Sequence, residues 1–299
     1  MGSGTNPPPS DPTLTASSPL PFLEFAKLQG LGNDYVYVDG IKGPLPSDLP
    51  ELARRISDRH FGVGGDGLIA VVPGTRAPLR MRMWNADGSE SQMCGNGLRG
   101  FAKYVYERGY VDSEEFPVET LAGVLRPRVL LENGRVKRVR VDMGPPRFER
   151  GALPMTGDPA GRCIDELLHV GGAEVRATCV SMGNPHCIIF TDDVANAPVT
   201  TLGPAIEHDP TFPERVNVSF VEVKSRSELV MRVWERGSGV TLACGTGACA
   251  AAVAAAVTGK AERKVTVHLP GGPLEIEWGD HVFMTGPTVE VFRGVYELE

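Results

Sequence analysis

Two cysteines 150 residues apart head the same short pattern, Cys94-Gly95-Asn96-Gly97 and Cys244-Gly245-Thr246-Gly247. Each pattern runs into a helix-forming segment, LRGFAKYVYER after the first and ACAAAVAAAV after the second. A cysteine at the first turn of a helix sits where backbone N–H groups and the helix dipole favour its thiolate. The glycines that follow let backbone approach a ligand closely and leave N–H groups free to hold a carboxylate. One such element suggests a nucleophile or an anion site. Two related by a pseudo-twofold suggest opposed thiols on either side of one carbon. One thiolate then removes an α-proton while the other thiol protonates the opposite face, and the reverse reaction exchanges the roles. Paired helix N-termini aimed at the substrate carboxylate would stabilise the enolate-like charge.

The elements that must position the cysteines are themselves repeated. Met81-Arg82-Met83-Trp84 recurs as Met231-Arg232-Val233-Trp234, and each tryptophan precedes its cysteine by ten residues. Gly32-Asn33 matches Gly183-Asn184, and Asp66-Gly67-Leu68-Ile69 matches Val216-Asn217-Val218-Ser219. Asp142-Met143-Gly144-Pro145 resembles Met284-Thr285-Gly286-Pro287 at a shorter spacing. Strand-like runs such as YVYVDG, LIAVVP, RMRMWN, VKRVRVDM, CIIFTD, NVSFVEV, LVMRVW, KVTVHLP, LEIEW and VEVFRGVYEL are bounded by Gly, Pro, Asn or Asp. Helices are expected near 48–59, after Cys94, around 201–208 and after Cys244. The predicted fold is α+β, with two pseudo-symmetric duplicated domains. Each is a strand-rich, barrel-like sheet around a central helix, with the active site at the domain interface. Residues 22–142 form the first half, completed by a crossing strand at 287–299, and 143–286 form the second. Residues 1–21 read as a disordered tail rich in Pro, Ser, Thr and Gly.

Composition excludes several functions. A net charge of −7 and a pI near 5.5 argue against a nucleic-acid partner. The longest uncharged stretch, 237–259, is too rich in Ala, Gly and Thr for a membrane span and reads as a buried helix. The tail has neither the basic start and apolar core of a secretory signal nor the arginines of a transit peptide. Six cysteines without such a signal argue for free thiols over a disulfide framework. With no Cys-x-x-Cys or His-x-x-x-His pairing, no metal is expected. FGVGGDG lacks the Lys-Ser/Thr ending of a phosphate loop and reads as a tight turn between helix and strand. No lysine has the surroundings of a Schiff base, so no cofactor is expected.

At these residues the chain resembles the diaminopimelate epimerase family, which works without pyridoxal phosphate. The segments that carry the resemblance are KLQGLGNDYVYVD, FGVGGDG, WNADGSESQMCGNGLRG, SMGNPHC, ERVNVSF and WERGSGVTLACGTGACAA, in the family's order from Lys27 to Ala252. The resemblance implies Cys94 and Cys244 as the catalytic acid/base pair, with His186 and Glu235 beside them to set their protonation. It implies Asn33, Asn85, Asn184, Asn217, Glu235 and Arg236 as substrate-binding residues, and Gly95-Asn96 and Gly245-Thr246 as the cradle for the reacting carboxylate. It further implies a cytoplasmic enzyme of lysine and peptidoglycan precursor synthesis. Its partner is a small molecule, diaminopimelate, and a homodimer is the expected assembly. Gly67 stands where some members carry Gln, and Val240 where many carry Glu.

Blander readings exist for the supporting residues. His186 can be a packed histidine at a strand start, Asn33 and Asn184 ordinary turn residues, and Glu235-Arg236 a solvated pair. Trp84 and Trp234 read as core. Two other functions compete. A proline or hydroxyproline racemase of the same fold would share the cysteines, but its substrate has no distal ammonium-carboxylate end for the Asn and Arg236 set. A thiol redox-sensing binding protein would use Cys94 and Cys244 as a reversible disulfide.

Overall fold

The computed structural model describes residues 22–92 and 94–298, so the expected tail lies outside the described residues. The described residues fold as two sheet-rich halves with four α-helices: α1 (Leu49–Ser57), α2 (Gly95–Glu107), α3 (Leu202–Glu207) and α4 (Gly245–Val257). These match the four helical stretches expected from the sequence.

The first sheet runs in the order Val289–Glu297, Phe22–Gly30, Asn33–Asp39, Gly67–Pro73, Leu79–Asn85, Val118–Thr120, Gly123–Leu125. The second begins Glu166–Val170, Ala173–Ser181, Pro185–Phe190, Asn217–Ser225, Glu228–Glu235, and continues Lys264–Leu269, Gly272–Trp278, Val282–Pro287. Most neighbours are antiparallel, but each half has two parallel pairs at equivalent places. These are Asn33–Asp39 with Gly67–Pro73 and Leu79–Asn85 with Val118–Thr120, then Pro185–Phe190 with Asn217–Ser225 and Glu228–Glu235 with Lys264–Leu269. A parallel pair cannot be closed by a hairpin and needs a crossover. The four crossovers carry α1, α2, α3 and α4 in turn, so the duplication seen in the motifs is also a duplication of topology.

α2 and α4 are the central helices. α4 is almost wholly buried and apolar on every side, with Ala248 through Ala255 inside the core, as expected for a helix enclosed by sheet. α2 is equally enclosed from Asn96 to Val105 yet carries Arg99 and Lys103. Lys103 donates to Glu107 and to the Val136 carbonyl, at 2.6 and 2.9 Å.

Two pairings tie the halves together. Val289–Glu297, the last strand, lies antiparallel against Phe22–Gly30 at the edge of the first sheet. Arg135–Asp142 lies antiparallel against Val282–Pro287, which places it and Arg128–Glu132 in the second sheet's hydrogen-bonded path. Among the described residues, no helix is long and apolar enough to cross a membrane.

Candidate active site

Each cysteine caps its helix in the same way. Cys94 and Cys244 have extended backbone (φ −134°, ψ 124° and φ −117°, ψ 107°) and occupy the N-caps of α2 and α4. The Gly97 and Gly247 N–H groups donate to their sulfurs at 3.5 and 3.4 Å. This is the hydroxyl-type N-cap with sulfur in place of oxygen, and it aims one of the helix's free donors at the site of negative charge. All six cysteines are free thiols.

The two helix starts converge on Met284. A Cβ added to Gly95 would lie 2.9 Å from the Met284 Cε, and one added to Gly245 would lie 3.0 Å from its sulfur. The Asn96 Oδ1 is 3.6 Å from that same point on Gly245. A side chain at either position would press on the end of Met284, and the two glycines leave the backbone of both helix starts bare. The Asn96 Oδ1 is buried without a partner among the described residues.

Around Cys94, the thiol donates to the Asn33 Oδ1 at 3.5 Å. The Asn33 amide is oriented by its other end, which donates to Asp66 at 2.6 Å. Asp66 in turn accepts from the Asp34 N–H at 3.0 Å and from Arg59 at 2.9 Å. FGVGGDG is thus the turn expected of it, and it delivers Asp66 to fix Asn33. Asn85 ends its strand and donates to Ser89 at 3.0 Å.

Around Cys244, Thr246 lies 3.6 Å from the sulfur and Glu235 is also within hydrogen-bonding reach. Burial pushes the Cys244 thiol well above its ordinary value, and the Glu235 carboxylate pushes it further. Burial likewise raises Glu235, against hydrogen bonds from Thr241 and Cys244. His186 is fully buried, its Nε2 is 3.1 Å from the Asn184 Oδ1, and its Nδ1 has no partner among the described residues. Burial and the Arg236 charge lower His186 to about 3, so its imidazole is neutral at physiological pH. Asn217 donates to the Pro185 carbonyl at 2.8 Å and accepts from the Arg236 N–H at 2.9 Å. Arg236 is exposed, with its guanidinium on the Glu214 carbonyl at 3.0 Å.

The structure thus brings Asn33 to Cys94 and brings Thr246 and Glu235 to Cys244, links Asn184 to His186 and Asn217 to Arg236, and sets Asn85 in the turn with Ser89. Trp84 is core at 1 % exposure. Trp234 is only half-buried, and its indole N–H donates to Glu207 at 2.7 Å. Glu207, at the end of α3, also accepts from the Gly237 N–H at 2.9 Å and so anchors the turn after Glu235-Arg236. Sequence reasoning missed Glu207, as it missed Met284 and Arg99. Arg99 is wholly buried, donates to the Pro287 carbonyl at 3.2 Å and leaves its Nη2 unpartnered among the described residues. Burial lowers it to about 10, and the negative charge of an ionised Cys94 would be the first to hold it up. The Gly67 departure has a steric counterpart, since a Cβ there would lie 2.1 Å from the Trp84 carbonyl oxygen and 3.1 Å from the Tyr35 ring. Nothing in the structure explains Val240, which is half exposed. No group of three or more His, Cys, Asp or Glu among the described residues is placed to hold a metal ion.

The chain matches the family model described as diaminopimelate epimerase over residues 25–149 and 178–291. It is 59% identical over 282 residues to the diaminopimelate epimerase of Moorella thermoacetica, covering 93% of this chain and 100% of that protein. Among solved structures it resembles a Bacillus anthracis phenazine biosynthesis protein of the PhzF family (TM-score 0.67, 16% identity, 92% of this chain and 99% of that one). It also resembles a hydroxyproline epimerase from Agrobacterium vitis with bound trans-4-hydroxy-L-proline (TM-score 0.66, 14% identity, 93% of each chain). At such identities the structural likeness is one of fold alone.

Proposed function

We propose that this chain, which belongs to the diaminopimelate epimerase family, interconverts LL- and meso-diaminopimelate with two thiols and no cofactor. The observation that carries the reading is the matched pair of N-capping cysteines on two helices whose bare starts meet over Met284. In the proposed cycle the thiolate of one cysteine takes the α-proton, and the thiol of the other returns a proton to the opposite face. The free N–H groups at Gly95-Asn96 and Gly245-Thr246 hold the carboxylate as its α-carbon gains carbanion character. Thiols suit this task because a helix start and its neighbours can bring a sulfur pKa towards working pH.

His186 and Glu235 are assigned to tuning Cys244, the first as a neutral hydrogen-bonding group and the second as a raised carboxyl. Asn33, Asn85, Asn184, Asn217, Glu235 and Arg236 are assigned to the substrate's two amino-acid ends. Arg236 suits a bidentate carboxylate contact, and the asparagines offer both donors and acceptors. We further place the enzyme in the cytoplasm, where its thiols stay reduced, in lysine and peptidoglycan precursor synthesis. A homodimer is favoured by the edge strand Val289–Glu297, which exposes Val289, Val291, Phe292 and Val295.

The test is α-deuterium incorporation by the reduced protein in heavy water, with diaminopimelate in one sample and L-proline in another. Exchange with diaminopimelate alone is expected. Exchange with proline alone would move the chain to the racemases. Failure of both under reducing conditions would favour a thiol sensor.

A further inference from the structure

Residues two apart on a strand share a face, and along Asn33–Asp39 one such row is Asn33, Tyr35, Tyr37. Both ends of the row touch the head of α2. Asn33 accepts from the Cys94 thiol at 3.5 Å, and the Tyr37 hydroxyl donates to the Gly97 carbonyl at 2.9 Å. Tyr35, 5 % exposed, lies on that face between them, beside Cys94 and Asn33. Tyr35 pairs with Gly67 across a parallel ladder, and His186 pairs with Asn217 in the equivalent ladder of the second half. With Asn33 matched to Asn184, Tyr35 is therefore the counterpart of His186.

We propose that Tyr35 is a positioning residue whose hydroxyl donates a hydrogen bond to the Cys94 thiolate, as the first half's answer to His186. The need for such a donor follows from Asn33. Asp66 turns the Asn33 amide so that its oxygen, an acceptor, faces Cys94. An acceptor suits the thiol and opposes the thiolate. A phenol hydroxyl can supply the ionised sulfur with a second donor beside the Gly97 N–H, and bonds to charged groups are the stronger ones. Burial and the neighbouring Cys94 hold Tyr35 well above its ordinary value, so the phenol stays protonated and available to donate. The other titratable groups around this corner are Tyr37 and Arg99, together with Asp66, which also faces Glu235.

The proposal rests on the epimerase reading for its purpose but not for its test. Tyr35→Phe keeps the ring and removes only the hydroxyl. The substrate-free proteins are alkylated with iodoacetamide across a pH series, and Cys94 and Cys244 peptides are followed separately by mass spectrometry. In Tyr35→Phe the Cys94 profile is expected to move up by about one pH unit, a tenfold loss of thiolate. The Cys244 profile should stay in place. Turnover of diaminopimelate should show kcat down about tenfold with KM little changed. Tyr35→His, which gives the first half the residue of the second, should return most of the Cys94 shift. It also carries the test if the Phe variant does not fold. An unchanged Cys94 profile in both variants, or equal shifts of both cysteines, would overturn the proposal. Failure of the parent protein to exchange diaminopimelate would overturn the epimerase reading instead and leave the Cys94 profile to stand on its own.

Discussion

The two halves share a backbone plan and differ in what surrounds each sulfur. Cys94 is partly open and looks onto Asn33, Tyr35 and, deeper in, the buried cation Arg99. Cys244 is buried, beside Thr246 and Glu235, with neutral His186 in the equivalent of Tyr35's place. At matched positions 150 residues apart, Asn85 corresponds to Glu235, Arg99 to Cys249, and Gly67 to Asn217. The first half thus sets a cation near its sulfur, while the second sets a carboxyl there. Duplication supplied a matched pair of helix caps; divergence then gave the two sulfurs unlike surroundings. A two-base reaction needs one sulfur ionised and one protonated at any moment, so unequal surroundings suit a site that must not ionise both.

The comparison breaks most directly at the cysteines. Cys94→Ala and Cys244→Ala should each lower epimerisation by about 10³-fold or more, near the upper part of the range for a positioned acid or base. The check is steady-state inversion in both directions. Near-parental turnover in either variant would show that one thiol suffices and that the pairing is ornamental.

Glu235→Gln sharpens the contrast. Burial is the larger reason that Cys244 resists ionisation, and the Glu235 charge is the next. Removing that charge should let Cys244 ionise at lower pH while leaving Cys94 where it was. The sign follows from like charges, since an anion beside a thiol disfavours its thiolate. Turnover should fall by about tenfold to a hundredfold, and peptide-resolved alkylation across pH is the measurement. An upward move of Cys244, or an equal move of both thiols, would refute the assignment.

The smallest expected effect lies in packing. Gly100 of α2 corresponds to Ala250 of α4. A Cβ on Gly100 would lie 2.1 Å from the Tyr37 hydroxyl, whereas α4 already carries its methyl at that level. Gly100→Ala should therefore destabilise the protein by about 1–3 kcal/mol, the usual cost of overpacking. Urea unfolding reads it. Tyr37→Phe should recover part of the loss in the double variant, although the bond to the Gly97 carbonyl goes with the hydroxyl. Simple additivity would mean that the two groups do not compete for space.

Much of this was legible in the sequence, because a repeat is a comparison the chain makes with itself. The cysteine caps, the four helices and the strand ends bearing Asn33, Asn184 and Asn217 all follow from motif spacing. Strands Phe22–Gly30 and Ala173–Ser181 did not announce themselves. Both alternate at their outer ends and are then buried on both faces, so the period-two signal fades where the sheet is covered twice. Tyr35 reads as an ordinary strand aromatic until the repeat sets it against His186. Glu207 looks like any surface acid of a short helix, and Arg99 like any surface cation, because burial is a property of the partner elements. Met284 carries no chemical signal at all; its importance comes from where two distant helices meet.

The last strand, Val289–Glu297, completes the edge of the sheet that begins at Phe22. The Thr288–Gln29 hydrogen bond beside it spans 259 residues of chain. During synthesis the first sheet therefore waits, without its edge partner, while the whole second half is made. Such long-range closure is slow, and an unpaired strand edge is open to wrong partners in the meantime. Nascent chains stalled before residue 289 should accordingly hold a first sheet whose Phe22–Gly30 edge is still unpaired.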